Sequence, residues 1–417
     1  MTRERTHDDI EPILQDWMEE VAAKGAPARL LEESYARTMA TKQLRPYPWD
    51  RIRGWGPRGE GLRSTPRYVL AGLAAVIVLV AGTALLVPRS SPGCIGGPPS
   101  TASPSPTPSP TPGPTPSPTL IPIIVTPEAT IPVTGPVGVA SDGQSVWLFT
   151  ASGQLVRIDP TTNSIGASVT LSPATDAYQG LAVNGSGLWL TDWDTSLLER
   201  FDPTTLKFAG SIAVGPYPKG VLATDAAVWV ANTRGGSVAR VDPATNTVVS
   251  TISVGPTGPS GPNWLAEGLG SIWVGVPNAG SVVRIDELTN DILARIGTVA
   301  TSPCGGLAVA SAAVWITGCD VGNRLGRIDP TTNTALASVD LGGHAYTVAL
   351  VAGAPWTSPE GGLIVRIDPA TNAIDRVVAP GPGYGGGGDV VVAAGSLWVV
   401  DGANNQIIRL PLSALGG

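Results

Sequence analysis

Four tyrosines, Tyr178, Tyr217, Tyr346 and Tyr384, together with Trp264 and the lone histidine of the C-terminal body, His344, each stand shortly before an apolar segment of strand length. A second group, Asp192, Trp193, Asp194, Asn232, Arg234, Asn323, Arg324 and Asp401, follows other segments of the same kind. Aromatic faces beside amide, carboxylate and guanidinium groups are the chemistry of recognition, suited to a peptide, a sugar or a loop of a partner protein. The competing reading is that these rings merely plug the space they stand in. Catalysis asks for a nucleophile and a base that can be paired, and these residues supply no such pair. They call for no cofactor and no metal.

What must position these groups is a repeat. Trp147, Trp189, Trp229, Trp273, Trp315, Trp356 and Trp398 recur every 40 to 44 residues, each inside an apolar run such as Leu188-Trp189-Leu190. About ten residues behind each of the first six comes Arg157-Ile158-Asp159-Pro160-Thr161-Thr162-Asn163 or a variant beginning at Arg200, Arg240, Arg284, Arg327 or Arg366. A period near 42 residues, with four short apolar segments separated by Gly, Pro, Asp and Asn, predicts one four-stranded sheet per repeat, hence an all-β seven-bladed β-propeller over residues 124–417. In the second unit the predicted strands are Gly180-Leu181-Ala182-Val183, Leu188-Trp189-Leu190-Thr191, Leu198-Glu199-Arg200-Phe201 and the run from Ala209 to Val214.

The chain's ends predict how the ring closes. The segment from Ala129 to Gly135 matches an outer-strand pattern but precedes the first inner strand, while the seventh unit has only three strands and stops near Leu412. The N-terminal strand is therefore expected to complete the last blade and remove an open sheet edge. On this topology the links from outer to next inner strand and from second to third strand share one face. They vary in length and content, and they carry all the candidate residues above. The other face is uniform. Its aspartates, Asp159, Asp202, Asp242, Asp286, Asp329 and Asp368, open tight turns rather than form a carboxylate ring. The arginines just before them are assigned to packing and pairing between blades.

The Trp-bearing strand and the Arg-Ile-Asp-Pro-x-Thr-Asn turn resemble those of the YVTN, NHL and streptogramin (virginiamycin B) lyase-like propellers, over residues from about 124 to 417. That resemblance implies the fold. For the lyases it also implies a metal-assisted elimination that uses His and Glu side chains with magnesium near the channel mouth. This propeller holds one histidine, His344, so the two-histidine arrangement cannot be assembled. A non-enzymatic binding or sensing module is the main reading, a lyase-like metal-assisted enzyme the alternative, and a purely structural surface protein a third.

Cysteines add one expectation. The hairpin of Gly306 to Val309 with Val314 to Thr317 centres its turn between Ser311 and Ala312, which sets Cys304 opposite Cys319 at a separation a disulfide spans. The alternative is two small buried thiols. Cys94 is left over, ahead of the propeller.

Upstream, residues 68–87 (YVLAGLAAVIVLVAGTALLV) run twenty positions without a charge, which predicts a single transmembrane helix. Before it stand Arg45, Arg51, Arg53, Arg58, Arg63 and Arg67 against Asp50 and Glu60. The positive-inside bias then places residues 1–67 in the cytoplasm and the propeller outside a bacterial cell membrane. Residues 88–123 are a Pro/Ser/Thr-rich linker, a stalk whose 25-residue core from Pro98 to Pro122 would reach about 75 Å as polyproline II. Residues 1–67 read as a small helical region with an apolar stripe from Ile10 to Ala22, followed by a basic stretch with Trp49 and Trp55. The layout resembles bacterial envelope proteins that carry a cytosolic signalling domain, which implies a cytoplasmic partner for this region. His7 and the absence of cysteine leave no zinc-ligand set there. Nucleic acid is excluded as a partner. Residues 68–417 hold 14 Lys and Arg against 22 Asp and Glu, a net charge near −8 that repels phosphate.

Overall fold

The second strand of every blade carries the repeated tryptophan and is buried along its whole length, as in Val146–Thr150, Val228–Asn232 and Ser271–Val276. A strand packed by a neighbouring blade on each side has no wet face, so it reads as a continuous apolar run. The outer strands, such as Ser164–Thr170 and Thr247–Ser253, alternate toward solvent. These two patterns, repeated, give seven antiparallel sheets around a channel walled by the first strands. The computed structural model describes residues 120–171, 178–298, 302–319, 323–381 and 383–415. The predicted cytoplasmic region, the predicted span 68–87 and most of the predicted linker lie outside the described residues. Among the described residues no helix is long and apolar enough to cross a membrane.

The second blade runs Tyr178–Asn184, Gly187–Asp192, Leu197–Phe201 and Phe208–Ala213, each within two residues of its expected bounds. The ring closes as expected. Ala129–Pro132 pairs antiparallel with Gln406–Pro411 of the last blade, from Ala129 opposite Arg409 to Pro132 opposite Gln406. Glu128 fastens this strand by an ion pair to Arg409 Nε at 2.8 Å and accepts a hydrogen bond from Ser396 Oγ at 2.8 Å. Two features depart from the simple repeat. Ile123–Ile124 adds a fifth, parallel strand outside Ala373–Ala379 of blade 6, and the outer strand of blade 5 is split into Thr334–Ala335 and Val339–Asp340. A two-residue strand has too few alternations to show a period, which is why the first was not foreseen.

The core lies between blades rather than within them. Trp229 and Val238 of blade 3, for example, pack with Ile272, Val274 and Ile285 of blade 4. Over six of the seven tryptophans sits the arginine of the third strand, with Cζ between 4.7 and 5.9 Å from the ring centroid. In Arg200, Arg240, Arg284 and Arg409 the same guanidinium reaches into the next blade's turn. Arg200 donates to Pro243 O and Asn246 Oδ1, both at 2.8 Å, and Arg284 to Pro330 O at 2.8 Å and Asn333 Oδ1 at 3.0 Å. Those asparagines have φ near +55°, which Asn tolerates better than other side chains. One residue thus forms the turn and accepts the neighbour's arginine. The turn aspartates accept backbone N–H groups two and three residues on, as Asp202 does from Thr204 and Thr205.

Candidate functional site

The varied face owes its geometry to how the first strands begin. Those of blades 1, 2 and 3 carry a register shift at Pro136/Gly138, Tyr178/Leu181 and Pro218/Val221, the extra residue of a β-bulge. At the bulges glycine lets neighbouring first strands touch. Gly220 N donates to Asn263 O at 3.0 Å, and a Cβ on Gly220 would meet that oxygen at 2.1 Å. A Cβ on Gly180 would likewise meet Lys219 O at 2.3 Å, and Thr191 Oγ1 donates to that carbonyl at 2.7 Å. Blades 2, 3 and 4 are locked together at the mouth by backbone.

Tyr217 stands at the entry to the third of these strands. Its ring stacks on Trp193 of blade 2, with centroids 4.4 Å apart and planes at 25°, and the Arg234 guanidinium lies 4.0 Å from its centroid. An indole and a guanidinium that close cannot share one face, so the ring is sandwiched. The backbone of Tyr217 has φ +61°. The equivalent residues twelve positions before the repeat tryptophan in blades 1 and 7 are Gly135 at +61° and Gly386 at +73°. Left-handed backbone is strained by about 1–2 kcal/mol for a residue with a Cβ. Two other bulky residues share it for evident reasons. Leu206 is buried in the core, and Leu269 with Gly270 forms a two-residue hairpin turn that requires it. Tyr217 is half-buried and serves neither purpose.

A second aromatic pair lies at blade 6. His344 and Tyr346 meet edge to face at 4.4 Å, and Tyr346 stays 39% exposed. Burial holds the His344 imidazole below its usual pKa, partly offset by the carboxylate of Glu360. Tyr346 O accepts from Thr317 Oγ1 of blade 5 at 3.0 Å. Tyr384 is buried and its hydroxyl hydrogen-bonds Ser358 Oγ, so it belongs to the wall. Trp264 is half-buried against the core of blades 4 and 5.

The remaining sequence candidates divide by role. Asp192, buried, accepts from Asp194 N at 3.0 Å and Thr195 N at 3.2 Å. Asn232, also buried, donates to Ser237 Oγ at 3.3 Å. Asp401 accepts from Asn404 Nδ2 and Gln406 Nε2, both at 2.8 Å. Asp192 and Asn232 build the turns that present Trp193, Asp194 and Arg234, and Asp401 braces its own turn in blade 7. Asn323 takes φ +44° in its own turn, and Arg324 donates to Ser338 Oγ. For Tyr178 only the backbone is described, where it opens the first strand of blade 2. Cys304 and Cys319 form a disulfide with Cα atoms 5.7 Å apart, beside a strand pair in the register Leu307 opposite Ile316. Cys304 O accepts from Asn263 Nδ2 at 2.7 Å, which ties the bridge to the mouth of blade 4.

Sequence reading passed over several polar groups of the wall. Lys219 lies in the blade 3 bulge, and burial pushes its ammonium pKa down. Asn263 is 7% exposed and its Oδ1 has no partner among the described residues. Asp389 precedes the last first strand, its carboxyl pushed up to about 7 by burial against a hydrogen bond to Thr347 that lowers it. Away from the wall, on the third strand of blade 2, Glu199 is likewise raised to about 7, by burial and then by Asp192. The signal was there in departures from the repeat. Nine residues before the tryptophan stand Gly138, Gly180, Gly220 and Gly306, but Asp389 in blade 7. Among the described residues no three His, Cys, Asp or Glu side chains converge to hold a metal.

No family model and no curated protein matches the chain. Solved structures do. Virginiamycin B lyase from Staphylococcus aureus is 18% identical with TM-score 0.58, covering 68% of this chain and 98% of its own. A streptogramin B lyase is 20% identical at TM-score 0.56 over 67% and 94%. Hydrazine synthase of Kuenenia stuttgartiensis is 13% identical at 0.58 over 68% and 97%. At such identities the likeness shows the propeller fold. Chains of unlike function share it.

Proposed function

We propose that the protein is a membrane-anchored, extracytoplasmic binding or sensing module whose propeller captures a ligand or a partner protein at the varied channel mouth. The anchor and orientation rest on the uncharged run 68–87 and the arginine excess before it. The observation that carries the binding reading is Tyr217. A ring sandwiched by side chains of two neighbouring blades is held on backbone that glycine adopts at two equivalent positions. Strain kept without a core reason is a mark of a ligand clamp. A plug would gain as much from a ring on relaxed backbone.

The test is a thermal-shift screen of the detergent-solubilised full chain against cell-wall fragments, saccharides and peptides. Tyr217→Ala, Trp264→Ala and Tyr346→Ala should each weaken binding of the hit while the melting temperature stays within a few degrees. Equal loss of stability and binding in all three would make the rings a plug. Protease added to cells with a permeable wall should spare residues 1–67 and reach the stalk. The reverse pattern would invert the topology.

A further inference from the structure

Blade 4 departs from the repeat on the uniform face. Its first two strands, Leu265–Gly268 and Ser271–Val276, join through Leu269 and Gly270. Leu269 stands four residues before the tryptophan, where the other blades carry Gly, Asp, Ser or Ala. The next turn of blade 4 on this face reads Asp286-Glu287-Leu288-Thr289-Asn290, whereas the matching turns of blades 1, 2, 3, 5 and 6 follow the aspartate with proline and then with threonine or alanine. The two departures adjoin, because Glu287 N donates to Gly270 O at 3.3 Å. Leu288 is 83% exposed and Leu269 45%, and Leu293 on the outer strand of the same blade is 50% exposed. Leu269 keeps φ +58° although nearly half of it stays in solvent.

Carboxylates rim these leucines. Glu287 precedes Leu288, Glu267 stands two residues before Leu269, and Asp225 is on the matching hairpin of blade 3. The three share one field: the Glu267 carboxyl is held above its usual range by burial and then by the charges of Glu287 and Asp225. Among the described residues none of the three has an ion-pair partner. The guanidiniums of this region are engaged in the ring itself. Arg284 lies over Trp273 and donates to Ser271, Pro330 and Asn333, and Arg240 lies over Trp229 and donates to Asn290.

Single exposed leucines are ordinary, but adjoining ones rimmed by uncompensated charge mark a contact surface. Its charge selects the occupant. A second copy would set the same carboxylates against each other, and an anionic bilayer would be repelled in the same way. We propose that the base of blade 4 is a docking surface for a protein segment that presents apolar side chains flanked by Lys or Arg. The leucines take the apolar side chains, and the carboxylates steer and orient the cations. This surface is on the face opposite the channel mouth, so it stands or falls apart from the binding reading above.

The test uses the peptide acetyl-Lys-Leu-Lys-Leu-Lys-Leu-Lys-amide as probe, with counterparts that carry Glu for Lys or Ser for Leu. Calorimetry measures their binding to the full-length protein in phosphatidylcholine nanodiscs, with empty nanodiscs as reference. The probe should bind with Kd below about 1 mM, and at least about tenfold tighter than either counterpart. The double variant Leu269→Ala with Leu288→Thr takes residues that other blades carry at these places. It should keep the wild-type melting temperature and weaken the probe by about 10- to 100-fold. Glu287→Gln should weaken it by about threefold and flatten its salt dependence between about 50 and 500 mM. No binding of the probe, or binding that the double variant leaves unchanged, overturns the proposal. Loss of binding in Tyr217→Ala with full retention in the double variant would put the peptide at the mouth and overturns it too. Wild type that self-associates in sedimentation velocity where the double variant does not would make the surface an interface between copies. Capture of phosphatidylglycerol vesicles by the wild type and not by the double variant would make it a lipid contact. Either result replaces the proposed partner.

Discussion

The two faces of the ring are made by the same seven repeats and have gone opposite ways. On the uniform face the turns from third to fourth strand in blades 1 to 6 open with an aspartate whose pKa is lowered by hydrogen bonds from its own turn, as Asp202 is chiefly by Thr205 N–H and Asp286 chiefly by Thr289 N–H. Arginines bridge from one blade to the next blade's turn by one recurring contact. On the mouth the equivalent positions differ from blade to blade, and Asp389, beside the first strand of blade 7, has its carboxyl raised rather than lowered. Repeated residues hold the ring together, and single-copy departures shape its mouth.

The sharpest way to break this contrast is to cut each face in turn. Trp273→Ala removes a fully buried indole from beneath Arg284 and between two blades. It should cost about 3–5 kcal/mol in urea unfolding. Trp193→Ala, at the half-buried mouth, should cost no more than about 1 kcal/mol. Comparable losses would mean that the mouth is as structural as the base.

The same contrast explains what could be read from the sequence. The fold was legible because a pattern repeated seven times outvotes local exceptions: the strand bounds of blade 2, the register at Leu307 and the closing strand at Ala129 all follow from spacing. Site residues occur once, so nothing averages in their favour. Asp192 and Asn232 have recognition chemistry but bond within their own turns, which only backbone geometry reveals. Asn263 looks like an ordinary strand-edge residue until the bulge and the missing Cβ of Gly220 set its backbone against blade 3. The left-handed backbone of Tyr217 has no sequence signature at all except glycine at the aligned places.

A pH series sharpens the comparison at intermediate size. For the turn aspartates the folded pKa lies below the ordinary value, so their contribution is present above about pH 4 and fades as pH falls through the lower folded value. Asp389 has the opposite sign. Its carboxyl is raised from 3.8 to about 7, so the folded state binds the proton more tightly and stability declines as pH rises between those values. Asp389→Asn should therefore match the wild type near pH 4 and melt progressively higher than it toward pH 8. Parallel melting curves across that range would show that the wall carboxyl is solvated like any other.

The smallest expected effect tests the residue on which the binding reading turns. At an ordinary position glycine is less stable than alanine, because it loses more backbone entropy on folding. At φ +61° the order should invert. Tyr217→Gly relieves about 1–2 kcal/mol of left-handed strain while giving up the stack on Trp193 and the Arg234 contact, together of similar size. Its stability should therefore stay within about 1 kcal/mol of wild type. Tyr217→Ala gives up the same contacts and keeps the strain, so it should be the less stable variant by about 1 kcal/mol. Chemical denaturation of both resolves that difference. An alanine variant as stable as the glycine one would mean that the backbone relaxes once the ring is gone, that the ring itself imposes the conformation, and that strain at Tyr217 is no mark of a clamp.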